Sequence, residues 1–209
     1  MASVALSVLW LFPAGAADLS FSEAEAIIRD TYTVSRGCMT TASLEAKALA
    51  AHDSLILQAA LCGYDLMDVP PGWARRRWNK EDAAFFATVP AKYNTAVTHE
   101  LVAKSALRYS GFALTKHRSV GTVGIFAEIH YENGYYFFMI DGLGGVAPEL
   151  TLTAVTKIPE GYKLSGTLTD TEKSTAPHID EFTLIVAPGE TPGSWKRLSI
   201  VETGSHLDS

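Results

Sequence analysis

The sequence predicts an α+β protein in which helices within residues 18–112 pack on a C-terminal antiparallel β-sheet, a meander of about six strands over 120–202. Three observations predict it. Apolar residues recur at helical spacing as far as Gly111. From Thr122 onward they fall instead in short runs separated by turn residues. Between two of those runs stands Asn133-Gly134, the strongest short-range signal for a tight hairpin. Helices followed by strands is the order of an α+β domain, with the helices on one face of the sheet.

In the helical half, Ser22 is expected to cap a first helix. Glu23 and Glu25 suit its positive first turn, Ala26, Ile27 and Tyr32 could face a core, and Gly37 closes it. A second helix is expected over about Leu44 to Leu61, stopped by Gly63. Its Leu44, Ala48, Leu49, Leu55, Ala59 and Leu61 lie on more than one side, which predicts a central position. Val69-Pro70-Pro71-Gly72 interrupts the chain. A further helix is expected after Asn79, broken at Pro90, and the helical pattern continues from Thr98 to Tyr109.

Strands are expected near 122–132, 135–141, 149–158, 162–170, 180–187 and 195–202. Asn133-Gly134, Pro159-Glu160-Gly161 and the 188–193 loop make the hairpin turns, and the DGLGG stretch at 141–145 links two hairpins. The element order resembles the helix-plus-curved-sheet plan of NTF2-like and cystatin-like domains, with no motif through which a residue's role would carry over.

At 209 residues, 47% hydrophobic and 19% charged, the chain has the composition of a globular protein and enough length to bury a core. Residues 17–209 read as one domain. The net charge of -6 is uneven, because residues 110–209 hold 7 basic and 12 acidic side chains. An acidic sheet half argues against nucleic acid, which requires clustered Lys and Arg.

Val4 to Phe12 is an apolar run too short to span a bilayer, followed by Pro13 and the small residues Ala14-Gly15-Ala16. Residues 1–16 therefore read as a cleaved signal peptide, with the mature chain starting near Ala17 or Asp18, although the first basic residue is Arg29. Secretion or periplasmic export is expected, with no transmembrane segment. An oxidising destination permits a disulfide between Cys38 and Cys62, closing a loop of about 23 residues and worth about 3 kcal/mol. Two separately buried thiols are the alternative.

The strong catalytic patterns HExxH, GxSxG, SxxK and CxxC, and the Walker and Rossmann glycine motifs, are absent. The six histidines show no metal-ligand spacing, so neither a metal nor a cofactor is expected. In the segment WARRRWNK, Arg75, Arg76 and Arg77 lie between Trp73 and Trp78, a pattern that fits either an anionic polymer or a solvated run anchored by an indole.

A type I′ turn at Asn133-Gly134 pairs Glu132 with Tyr135 and separates two faces. Ile125, Ala127, Ile129 and Tyr131 beside Tyr136, Phe138 and Ile140 make a core face. Phe126, Glu128, His130 and Glu132 beside Tyr135, Phe137, Met139 and Asp141 make the other, mixing aromatic area with ionisable groups as binding surfaces do. The leading expectation is a non-enzymatic protein that binds a small molecule or protein partner there, with Glu128, His130, Tyr135, Phe137 and Met139 as its residues. A small hydrolase-like enzyme using His130 with a carboxylate is the competing one.

Overall fold

The computed structural model describes residues 18–33, 39, 45–62, 73–75, 85–140, 148–170 and 178–204. The expected signal peptide, Cys38, Arg76, Arg77 and the DGLGG link lie outside these residues.

Helix α1 spans Phe21–Ile28. Its cap is Ser20, two residues before the expected one, because Ser20 and Glu23 form a reciprocal capping box: the Ser20 hydroxyl accepts from Glu23 N–H at 3.3 Å and the Glu23 carboxylate accepts from Ser20 N–H at 2.9 Å. The Ser20 hydroxyl's own donation to the Glu23 carboxylate, at 2.5 Å, and secondarily the Ser20 N–H bond hold the Glu23 carboxyl below its ordinary value. Leu19 packs on the core just before the cap and completes the helix entry. A π-helical turn, Arg29–Thr33, follows. The second expected helix is two pieces, α2 (Ala46–Ala51) and α3 (Asp53–Cys62), separated by extended His52. Every residue of α3 from Ile56 to Cys62 is buried, as a central helix requires.

Short strands β1 (Trp73–Arg75) and β2 (Thr95–Thr98) lie within the segment read as helical. Helix α4, His99–Ser110, follows β2 directly and ends at Gly111 in the left-handed region (φ 76). Next come β3 (Ile129–Glu132), β4 (Tyr135–Phe138), β5 (Glu149–Ile158), β6 (Gly161–Asp170), β7 (His178–Pro188) and β8 (Trp195–Gly204).

The fold is α+β with antiparallel sheets, but the expected meander divides. Strands β5-β6-β7-β8 form a four-stranded meander, while the first hairpin joins a second sheet of order β1-β2-β4-β3. There β2 pairs with β4 through Val97↔Tyr136. One continuous core unites helices, hairpin and meander, with Ile28, Leu57, Val97, Tyr136, Leu164 and Leu184 among its members. A smaller cluster on the opposite face of the first sheet contains Phe86, Tyr93, Ala96 and Phe137. No described helix is long and apolar enough to cross a membrane.

In β8 the pairing steps from Ile185↔Ser199 to Val186↔Arg197, leaving Leu198 bulged. The bulge shifts the alternation of the strand, so Arg197 and Ile200 are both buried, at 0% and 6% exposure.

Candidate functional site

The hairpin register is the expected one: Glu132↔Tyr135, Tyr131↔Tyr136, His130↔Phe137 and Ile129↔Phe138. Asn133 and Gly134 both take positive φ (50 and 81), which a type I′ turn demands. The Gly134 carbonyl also accepts from the His99 N–H at 2.9 Å, tying the turn to the start of α4.

The expected alternation does not extend back to Ile125. Gly124 (φ 55) makes a tight reversal in which Val123 and Phe126 exchange backbone hydrogen bonds of 2.9 and 3.0 Å. The reversal inverts the faces upstream. Phe126, expected on the outer face, is buried edge-on against Phe138 at 5.4 Å, whereas Ile125, expected in the core, is 45% exposed. Downstream, Tyr136 and Phe138 are buried as expected, and Tyr131 is half-buried.

On the outer face, Phe137 is covered rather than open. The segment from Phe85 to Tyr93 folds over it: Phe85 stacks on Phe137 at 6.2 Å and contacts Tyr135 at 5.2 Å, and Tyr93 lies 6.3 Å from Phe137. Phe137 is therefore a base for the surface and not part of its exposed edge. Above that base His130 stacks parallel to Tyr93, at 5.8 Å and 10°. Its Nε2 lies 3.4 Å from Glu132 Oε2 and its Nδ1 3.4 Å from Ser119 Oγ. Glu128 accepts from Lys92 Nζ at 2.6 Å and from the Tyr93 hydroxyl at 3.0 Å. Those two bonds, the lysine's first, hold its carboxyl below the ordinary range, and the Glu128 bond raises Lys92 in turn. The side chains of Glu128, His130 and Glu132 are 45%, 37% and 62% exposed, so this rim is open to a ligand. Met139 is half-buried.

Of the arginine segment, only Trp73 to Arg75 is described. Trp73 and Arg75 lie on β1, paired with Val97 and Thr95, at the edge of the sheet opposite β3. Arg76 and Arg77 lie outside the described residues.

The inner face carries a cluster that reading the sequence misses. Tyr131 and Tyr136, 4.9 Å apart between ring centres, each meet a histidine. His99 Nδ1 lies 3.1 Å from the Tyr131 hydroxyl and His117 Nδ1 lies 2.9 Å from that of Tyr136, with the two imidazoles 5.0 Å apart. Two inward tyrosines are the available signal, because buried phenols need partners; nothing local says which residues supply them. Burial, and secondarily Tyr131, pushes the Tyr136 phenol well above its ordinary value, while the Arg118 backbone N–H donates to its oxygen. Either end of the His117–Tyr136 bond can donate, according to the imidazole tautomer: the phenol to a bare Nδ1, or a protonated Nδ1 to the phenol oxygen. Burial and the neighbouring His99 lower His117 below its ordinary 6.5, against an opposing pull from Glu100. A depressed imidazole is protonated more readily in the unfolded chain, so its contribution to stability is complete above about pH 6.5 and is lost as pH falls below it. Urea midpoints at about pH 7.5 and about pH 5.5 should differ less in His117→Gln than in the native protein; an equal difference removes His117 as the source.

Among the described residues, no three His, Cys, Asp or Glu side chains converge on a metal-sized site. No protein-family model, curated protein or solved structure matches this chain. Fold and site alone define its class: an α+β protein of two antiparallel sheets. Its distinguishing mark is an ionisable rim mounted on an aromatic base.

Proposed function

We propose that this is an exported binding protein, and that the outer rim of the first hairpin recognises a partner presenting basic groups. The observation that supports it most is the stack of His130 on Tyr93 between two exposed carboxylates, Glu128 and Glu132. Aromatic faces and carboxylates together attract cations, and the acidic excess of residues 110–209 favours the same encounter. The probe is a fluorescent peptide of alternating lysine and tyrosine, with a glutamate–tyrosine peptide as control. The basic peptide should bind, weaken with salt, and lose about fivefold or more in affinity to Glu128→Gln/Glu132→Gln, a change of about 1 kcal/mol. Equal binding of both peptides, or none, overturns the proposal.

A second, hydrolytic reading rests on Glu132 and Ser119 standing within 3.4 Å of the His130 ring nitrogens. It requires turnover of an activated ester such as p-nitrophenyl acetate that His130→Gln abolishes and Glu132→Gln sharply lowers. No turnover above that of free imidazole ends it.

Export and a Cys38–Cys62 disulfide belong to the same proposal. The apolar run before Ala17 supports the first, and the oxidising destination that export implies permits the second. Protein recovered from its native host should begin near Ala17 or Asp18 and resist alkylation until reduced; a retained Met1 or a thiol reactive without reduction contradicts the corresponding half.

A further inference from the structure

We propose that Arg197 is an oxyanion-binding residue, its guanidinium receiving a carboxylate or phosphate group of a ligand between β8 and the π-helical turn Arg29–Thr33. The site is separate from the hairpin rim and does not depend on the function proposed for it.

Arg197 has no exposed surface. Its Nη1 donates to the Thr31 carbonyl in the π-helical turn, whereas Nε and Nη2 have no hydrogen-bond partner. Burying unpaired donors on a charged group is costly, and native interiors supply them with a protein group, a water or an ion. Burial lowers the guanidinium to about 9, which still leaves it cationic at neutral pH. The charge therefore remains to be compensated.

The identity of the orphaned atoms points to the ligand. Nε–H and one Nη2–H point the same way along one edge of the guanidinium, the fork that matches the two oxygens of a carboxylate or phosphate. This protein uses the same edge elsewhere: Arg108 donates from Nε and Nη2 to the two carboxylate oxygens of Asp30, each at 3.0 Å. At Arg197 the fork is formed and its acceptor is missing. The acid on β8, Glu202, is half-buried, lies beyond Ile200 and accepts from the Tyr32 hydroxyl. Neither orphaned nitrogen of Arg197 has Glu202 as a hydrogen-bond partner. The strand bulge at Leu198 brings Arg197 to the core side beside Val186, and an amphipathic carboxylate would find apolar neighbours there as well as the fork.

The experiment is thermal unfolding of the full chain in phosphate, acetate or octanoate, each against chloride at equal ionic strength. At least one oxyanion should raise the melting temperature saturably above chloride in the native protein, and Arg197→Met should abolish that increment. Phosphate stabilises many folds by exclusion from their surfaces, so the difference between native and variant protein carries the result. Saturation by phosphate identifies a small free anion, and octanoate acting well beyond acetate identifies a carboxylate with an apolar body. If Arg197→Met does not fold, Arg197→Lys keeps the charge without the fork and should weaken the saturation midpoint at least tenfold. No oxyanion-specific increment in the native protein, or one unchanged in the variant that folds, overturns the proposal.

Discussion

Phe138→Ala should destabilise the protein by about 4 kcal/mol, the loss expected for a fully buried aromatic side chain. Phe138 is 0% exposed and lies on β4 between Thr95 of β2 and Ile129 of β3. Its ring also receives the edge of Phe126 at 5.4 Å, so truncation would leave the reversal at Gly124 without its anchor. Neighbouring Tyr135, half-buried on the rim, should cost only about 1 kcal/mol when changed to Ser, within the usual range for point substitutions. Phe137→Ser falls between the two in position but closer to Phe138 in effect, because Phe85 and Tyr93 cover it. Urea unfolding of the three variants checks the order. A Phe138→Ala loss below about 1 kcal/mol would mean that the inner face of the hairpin is not core.

Gly111→Val should cost about 3 kcal/mol by combining left-handed backbone strain with overpacking. Gly111 ends α4 at φ 76, and a Cβ there would stand 2.3 Å from the Trp195 carbonyl oxygen and 2.6 Å from its carbon. Neither atom can swing away, since both belong to the backbone of β8. The Gly111 carbonyl also accepts from Glu190 N–H at 3.2 Å, and Glu190 reaches back to the Ala113 N–H at 2.8 Å. A shift to relieve the clash would break this clamp between α4 and the β7–β8 loop. Thermal melting tests the claim: a midpoint within a degree or two of the native value would contradict the close approach of helix and strand.

The parts of the fold legible in the sequence are those whose signals are local. Asn133-Gly134 specifies its own backbone conformation, so the register from Glu132↔Tyr135 to Ile129↔Phe138 follows from two residues. The meander was equally readable: the expected 149–158 coincides with Glu149–Ile158, and the other three strands differ only at their ends. The misreadings have physical causes. Thr95–Thr98 is four residues long and runs directly into α4, too short for alternation to stand out from a helical period. At α1 two overlapping Ser-x-x-Glu patterns compete, and the one beginning at Ser20 has Leu19 before it to pack on the core. Gly124 reverses the chain and with it the sides of Ile125 and Phe126.

The candidate surface was legible in its composition and not in its cover. His130, Glu128 and Tyr135 share the outer face as alternation requires, but Tyr93 and Phe85 reach that face through a sheet partner, β2, that the sequence does not announce. The pairing of His99 with Tyr131 and of His117 with Tyr136 is likewise tertiary, joining a helix start and a loop to two strands. Arg197 is hidden for another reason: its inward direction depends on a single bulged residue, Leu198.

The claim that the outer rim of the hairpin is the recognition surface is tested most directly by amide chemical-shift mapping during titration with the lysine–tyrosine peptide. The largest changes should fall on Ser119, Glu128 to Glu132 and Tyr135, and should fade as salt is raised. Changes concentrated on β5 to β8 with the hairpin silent, or changes at the hairpin that persist in Glu128→Gln/Glu132→Gln, would contradict it.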